Sequence, residues 1–213
     1  MTKILVTVPT TGWLHKQTVF ALLRLQHDPR VHIIIPTHNP YEHNLHRIVG
    51  DFLAGDYTHW LSFDDDNPPI QNPLELIELD KDIIGCPTPV WHYDERTAGK
   101  KERPVYWNAY DYDVVADAYR PHETMDGLQR VDAIGTGCFL ITRRVFEDPR
   151  MQCAPFMRVW TKEGYVERGN DLAFCERARA CGFEIYAHYG YPAMHINELE
   201  IGGVVRAFRN LYE

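Results

Sequence analysis

The sequence has no Cys-x-x-Cys pair, no Gly-, Ser- or Pro-rich linker and no internal repeat. No apolar run approaches the roughly 20 residues that span a bilayer, and no charged start followed by a long apolar stretch marks a secretory leader. The expectation is a cytoplasmic protein without a transmembrane segment. The five cysteines are odd in number and mostly sit in apolar contexts, so they read as reduced core residues rather than a disulfide framework or zinc site. Basic charge is also scarce. Against 22 Lys and Arg stand 30 Asp and Glu, a net charge of -8, which disfavours a broad electrostatic face for nucleic acid.

What is present is an ordinary globular composition over 213 residues, 45% hydrophobic and 24% charged, enough for one substantial core. The chain reads as one domain, 1–213, with a nucleotide-binding half over 1–90 and an acceptor-side, catalytic half over 91–213. KILVTV (3–8), VHIIIP (31–36), THWLSF (58–63) and DIIGC (82–86) are short apolar runs of the kind found in strands covered on both faces. Between them lie helical patterns. KQTVFALLRLQ carries apolar residues on one face, and Asn39, Pro40 and Glu42 read as N-cap, N1 and N3 of a helix whose Leu45, Ile48, Val49, Phe52 and Leu53 share a face. Asn72, Pro73 and Glu75 open another. The first 86 residues therefore predict βαβαβαβ, an α/β fold with a mostly parallel central sheet and helices on both faces.

Asp64, Asp65 and Asp66 follow the third strand and precede two prolines. Ligands of open α/β sheets bind at the carboxyl ends of the strands, and this cluster stands at one. A carboxylate run at a strand end is commonly a solvated turn. Three mutually repelling charges beside a buried strand also suit a hard divalent cation, Mn2+ or Mg2+. Alternate residues of an extended chain point the same way, so Asp64 and Asp66 would share a face with Asp65 turned toward the protein.

Residues 87–120 carry seven Tyr and Trp side chains without a sustained period and read as a long loop or hairpin region. Their rings suit either stacking on a sugar or a satellite core, with nothing to decide between the two. After them, RVDAIGTGCFLITRRVFE (130–147) predicts a strand, a turn at Gly135, Thr136 and Gly137 where backbone approaches neighbouring chain or ligand, an apolar strand and a helix start. Arg143 and Arg144 read as surface charges more readily than as phosphate contacts. GNDLAFCERARACGFEIYAH (169–188) predicts an N-capped helix ending at Gly182 and then a strand, and PAMHI (192–196) is extended.

Four of these features, DDDN (64–67), GTGCFLITRR (135–144), GNDLAFCERARACGF (169–183) and the downstream Met-His-Ile, occur in an order that resembles the GT-A fold glycosyltransferases of the family-2-like type. The resemblance implies a nucleotide-sugar donor, with UDP-sugar expected, and a hydroxyl acceptor in a glycan, lipid-linked precursor, protein or modified nucleobase. It implies an Asp-x-Asp motif at Asp64 and Asp66, with Asp66 the principal metal ligand, Asp64 a second, and His195 completing the shell. It places the general base on Asp171 and acceptor or sugar contacts on Asn170, Gly135, Thr136, Gly137 and, from the aromatic segment, Trp107. The chain departs from the family pattern at Asn170, where Glu is usual. It departs again at PTHN (36–39), which lacks the usual aspartate. The nucleotide pocket is accordingly expected from Pro9, Thr10, Thr11, Asn44 and Arg47 with Asp64 and Asp65.

Without the resemblance, Asp171 reads as a helix-start residue and His195 as a satisfied histidine. A helix N-terminus is further expected to hold Asp171 ionised and less basic. Rival classes are a metal-dependent nucleotidyltransferase, for which PTTGWLHK (9–16) is a poor nucleotide loop, and a non-catalytic nucleotide- or sugar-binding module of the same fold. A haloacid-dehalogenase-type phosphatase is disfavoured, because residues 64–68 do not read Asp-x-Asp-x-Thr.

Overall fold

A computed structural model of the chain describes residues 1–91 and 105–197. In chain order these form β1 (Ile4–Thr7), α1 (Lys16–Leu25), β2 (Val31–Ile34), α2 (Tyr41–Ala54), β3 (His59–Phe63), a 3-10 helix (Pro73–Leu79) and β4 (Ile83–Gly85). Next come β5 (Pro89–Trp91), β6 (Val105–Trp107), β7 (Ala109–Asp113), β8 (Ala118–Pro121), β9 (Leu128–Val131), β10 (Ala133–Ile134) and β11 (Cys138–Thr142). The chain continues through α3 (Arg143–Glu147), α4 (Pro149–Gln152), β12 (Val159–Trp160), β13 (Val166–Arg168), α5 (Asn170–Ala180) and β14 (Ile185–His188).

Seven strands make the central sheet in the order β2-β1-β3-β11-β4-β14-β9. β1, β2, β3, β4 and β14 point one way, whereas β11 and β9 run against them. The sheet is therefore mixed rather than uniformly parallel, and the cause is local. The turn at 135–137 lies at the carboxyl edge, where the Asp64 amide donates to the Gly137 carbonyl at 2.8 Å. β11 starts at that edge and has to run back between β3 and β4.

Alternation along the strands feeds two cores. Leu5 and Trp60 face one side with Phe52, Phe139, Phe146 and Phe174, while Ile4, Val6, Leu61 and Phe63 face the other with Ala21, Leu22, Leu25 and Leu74. Burial on both faces is what the continuous apolar runs predicted. The Trp60 indole is satisfied by the Thr7 hydroxyl at 2.8 Å, which itself donates to Ser62 at 2.9 Å.

Three boundaries differ from expectation. α2 begins one residue late, at Tyr41, with Pro40 rather than Asn39 at the N-cap and no side-chain cap. The segment after Asn72 is capped as expected, its side chain accepting from the Leu74 amide at 3.2 Å, but it is a 3-10 helix ended by Asp80 in the left-handed region at φ 50. A helical segment of seven residues is short for an α-helix to propagate. α1 buries Thr18, Ala21, Leu22 and Leu25, yet Val19, Phe20 and Leu23 are exposed, so its apolar residues are not confined to one face.

The expected loop or hairpin region resolves into hairpins. β5 pairs with β6, and β7 pairs with β8 on one side and β10 on the other. Tyr93 and the rest of 92–104 lie outside the described residues. Tyr110 and Tyr119 pack against the main core, with Tyr112 next to Tyr119 at 5.1 Å between ring centroids.

Candidate active site

The three carboxylates leave β3 in three directions. The turn closes through the Asn67 amide on the Asp64 carbonyl at 3.0 Å, and each side chain finds its own neighbour. Asp64 Oδ1 accepts from the Tyr41 hydroxyl at 2.6 Å. Asp65 Oδ2 accepts from the Thr10 hydroxyl at 2.8 Å, and its carbonyl accepts from Thr18 at 2.5 Å. Asp66 Oδ2 stands 3.6 Å from His195 Nε2, both side chains being partly open to solvent at 30% and 25%.

His195 is brought there by backbone. Residues 192–196 run alongside the loop after β3, with amide bonds from Ile196 to the Asp66 carbonyl at 2.8 Å, Met194 to Pro68 at 3.0 Å and Ile70 to Pro192 at 3.2 Å. The Asn67 amide side chain adds a bond to the Met194 carbonyl at 3.1 Å. On the imidazole, Nδ1 lies 2.7 Å from the Pro89 carbonyl. A carbonyl can only accept, so Nδ1 carries the proton and Nε2 is the atom aimed at Asp66. A ring nitrogen whose partner is held by a carbonyl is the arrangement that presents imidazole to a metal.

Burial decides the charges. It pushes the Asp64 carboxyl up to about 8, with Asp66, Asp65 and Asp171 adding repulsion and the Tyr41 hydrogen bond opposing them. Burial raises Asp66 as well, and the nearby His195 works in the other direction. Asp171 is raised by burial too, which outweighs the Leu172 amide that donates to its Oδ1 at 2.8 Å. The direction is opposite to the depression expected at a helix N-terminus, because desolvation outweighs the amide hydrogen bonds and the Arg158 charge.

Among the described residues, no three His, Cys, Asp or Glu side chains converge on a point that would hold a metal ion. Of the three expected ligands only Asp66 and His195 meet, because Asp64 turns to Tyr41. Their separation fits one ion, since two bonds of about 2.0–2.1 Å to Mg2+ span up to about 4 Å. Such ions commonly take few protein ligands and complete their shell with substrate phosphate and water.

Beside the carboxylates lies a cleft of about 190 Å³ lined by Pro9, Thr10, Thr11, Asn44, Asp64, Asp65 and Asp66 together with His38, Asn39 and Tyr41. Pockets enclosing a whole ligand run to about 300–1,000 Å³, so this one takes part of a ligand. Arg47 does not contribute: it lies on the exposed side of α2 while Asn44, Ile48 and Val49 face inward. Asn44 is 1% exposed, and its amide nitrogen donates to the Pro36 carbonyl at 3.2 Å. Its Oδ1 is buried with no partner, an acceptor awaiting an N–H or O–H group.

The other expected contacts divide. Thr136 is buried next to Tyr41, and Asp171 is close enough for its charge to act on both Tyr41 and Asp64. A Cβ at Gly135 would strike the Asn108 side chain and one at Gly137 the Asn67 side chain, so neighbouring protein accounts for both glycines. Asn170 starts α5 beside Asp171. Trp107 packs edge-on against Tyr189 at 6.2 Å and lies opposite Pro89 in the β5–β6 pair, outside the lining of the cleft. Arg143 donates to the Phe52, Leu53, Gly55 and Tyr57 carbonyls at the end of α2 and Arg144 pairs with Asp82, so neither is free for phosphate. Sequence reasoning missed His38, Asn39 and Tyr41 in the cleft, and Arg158, whose charge acts on Asp171 and which pairs with Glu42.

No family model matches the sequence, and no curated protein matches it. Solved structures do. The protein A197 from STIV is 17% identical, with 92% of this chain and 86% of that one covered and a TM-score of 0.60. GalNAc-T7, crystallised with UDP, GalNAc and Mn2+, is 11% identical over 93% of this chain, which spans only 44% of that one, at a TM-score of 0.54. What they show is the fold. This chain shares that fold with both proteins.

Proposed function

We propose that the protein is a metal-dependent glycosyltransferase that moves a sugar from a nucleotide-sugar donor, UDP-sugar first, to a hydroxyl acceptor with inversion. The observation that carries this reading is the Asp66–His195 pair at 3.6 Å, its imidazole held by Pro89, at the carboxyl edge of the sheet. The neighbour of the same fold solved with UDP, GalNAc and Mn2+ supports the ligand class.

Asp66 and His195 would hold Mn2+ or Mg2+, which supplies positive charge against the developing charge of the leaving diphosphate. The cleft has acceptors rather than lysine or arginine, so it suits the nucleoside end: Asp64 and Asp65 for hydroxyls, the unpaired Asn44 oxygen for a base N–H. Asp171 takes the proton of the incoming hydroxyl, and its raised basicity favours that step. A carboxylate base acting on the acceptor side is what inversion requires.

The test is donor hydrolysis with water as acceptor. A panel of UDP- and GDP-sugars is incubated with Mn2+ and with EDTA, using wild type and Asp66→Ala. The expected result is release of nucleotide from one donor, lost with EDTA and in the variant. Nucleotide binding that is indifferent to both would remove the metal from the account.

A further inference from the structure

The outer face of α1 breaks the pattern of a surface helix. Its inner face is buried through Thr18, Ala21, Leu22 and Leu25, so the opposite stripe, at i, i+4 and i+7, is Lys16, Phe20 and Leu23. Phe20 is 55% exposed and Leu23 46%, with Val19 beside them at 39%. Trp13, in the loop leading into the helix, is 85% exposed. Scattered apolar residues on a surface are ordinary, whereas a contiguous set on the solvent side of one helix marks a contact face.

Charge around this face selects its partner. The chain holds 30 Asp and Glu, yet residues 11–27 contain none of them and do contain Lys16, Arg24, His15 and His27. A second copy docked face to face would bring Lys16 and Arg24, whose guanidinium also donates to the Pro69 and Ile70 carbonyls, up to the same cations of the other copy. An anionic lipid surface would meet them with opposite charge, and Trp, Phe and Leu flanked by Lys and Arg is the composition of a helix lying in a membrane interface. No helix among the described residues is long and apolar enough to cross a membrane.

We propose that the outer face of α1, with Trp13 at its leading end, docks onto an anionic lipid bilayer. The inference is independent of glycosyl transfer. With few cations and a small apolar stripe, the contact is weak, reversible and salt-sensitive.

The experiment is co-sedimentation with phosphatidylcholine vesicles, with and without one-third phosphatidylglycerol, at low and high salt. Binding is expected to be about tenfold stronger to the anionic vesicles and to fall with salt. Phe20→Ser combined with Leu23→Ser should weaken it about tenfold, and Lys16→Glu severalfold, with unchanged circular dichroism and melting temperature since these side chains are exposed. No sedimentation with anionic vesicles overturns the proposal. So does equal binding by the double variant, or a dimer in light scattering that the double variant abolishes, which would make a second copy the occupant.

Discussion

His195 faces Asp66 at 3.6 Å while its other nitrogen is held by the Pro89 carbonyl at 2.7 Å. The imidazole is thereby fixed in orientation and tautomer before any ligand arrives. Replacing His195 with Ala should weaken Mn2+-dependent UDP binding by about 10–100-fold in calorimetry, while UDP binding measured in EDTA stays as in wild type. Equal loss in both conditions would mean that His195 only shapes the loop.

Asp171→Asn should leave UDP and Mn2+ binding within about twofold of wild type and lower transfer by about 10²–10⁴. Because burial raises this carboxyl, activity in wild type should fall on acidification at a pH above the ordinary carboxylate range, as the base becomes protonated. A variant that still transfers removes Asp171 from the base role.

Asp64 gives a stability prediction with an unusual sign. Its folded pKa of about 8 lies above the ordinary 3.8, so the unfolded chain loses this proton first and the metal-free protein loses stability as pH rises from about 4 to 8. Asp64→Asn keeps an oxygen for the Tyr41 hydroxyl and has nothing to ionise. It should melt about 5 °C or more above wild type at pH 8, with the gap closing toward pH 4. A constant gap across that range contradicts the assignment.

Gly137→Ala should lower the melting temperature by several degrees, on the order of 1–3 kcal/mol, because the added methyl meets the Asn67 side chain that anchors Met194. Mn2+-dependent UDP binding should fall with it, since Asn67 ties the Asp66 loop to the His195 segment. Arg47→Ala serves as the control and should change neither, being exposed and outside the cleft.

Much of this was legible because it depends on local pattern. The apolar runs of β1 to β4 and the exit of Asp64 to Asp66 at a strand end followed from residue type and spacing. What was not legible depends on distant chain. Nothing near Cys138 says that β11 will lie between β3 and β4, where the Asp64 and Cys86 amides donate to the Gly137 and Cys138 carbonyls. The Gly-Thr-Gly turn correctly signalled close approach, but that the neighbours are Asn67 and Asn108 required the fold. Tyr41 escaped notice because a single tyrosine at a helix start carries no motif. The direction of the Asp171 shift was misread because the dipole is visible in sequence and burial is not.

The most direct measurement of the central claim is anomalous scattering from crystals grown with Mn2+ and UDP. The account predicts a manganese peak bonded to both Asp66 and His195 Nε2, with diphosphate oxygens completing its shell. UDP bound in the cleft with no peak between those two side chains, or with manganese held elsewhere, would contradict it.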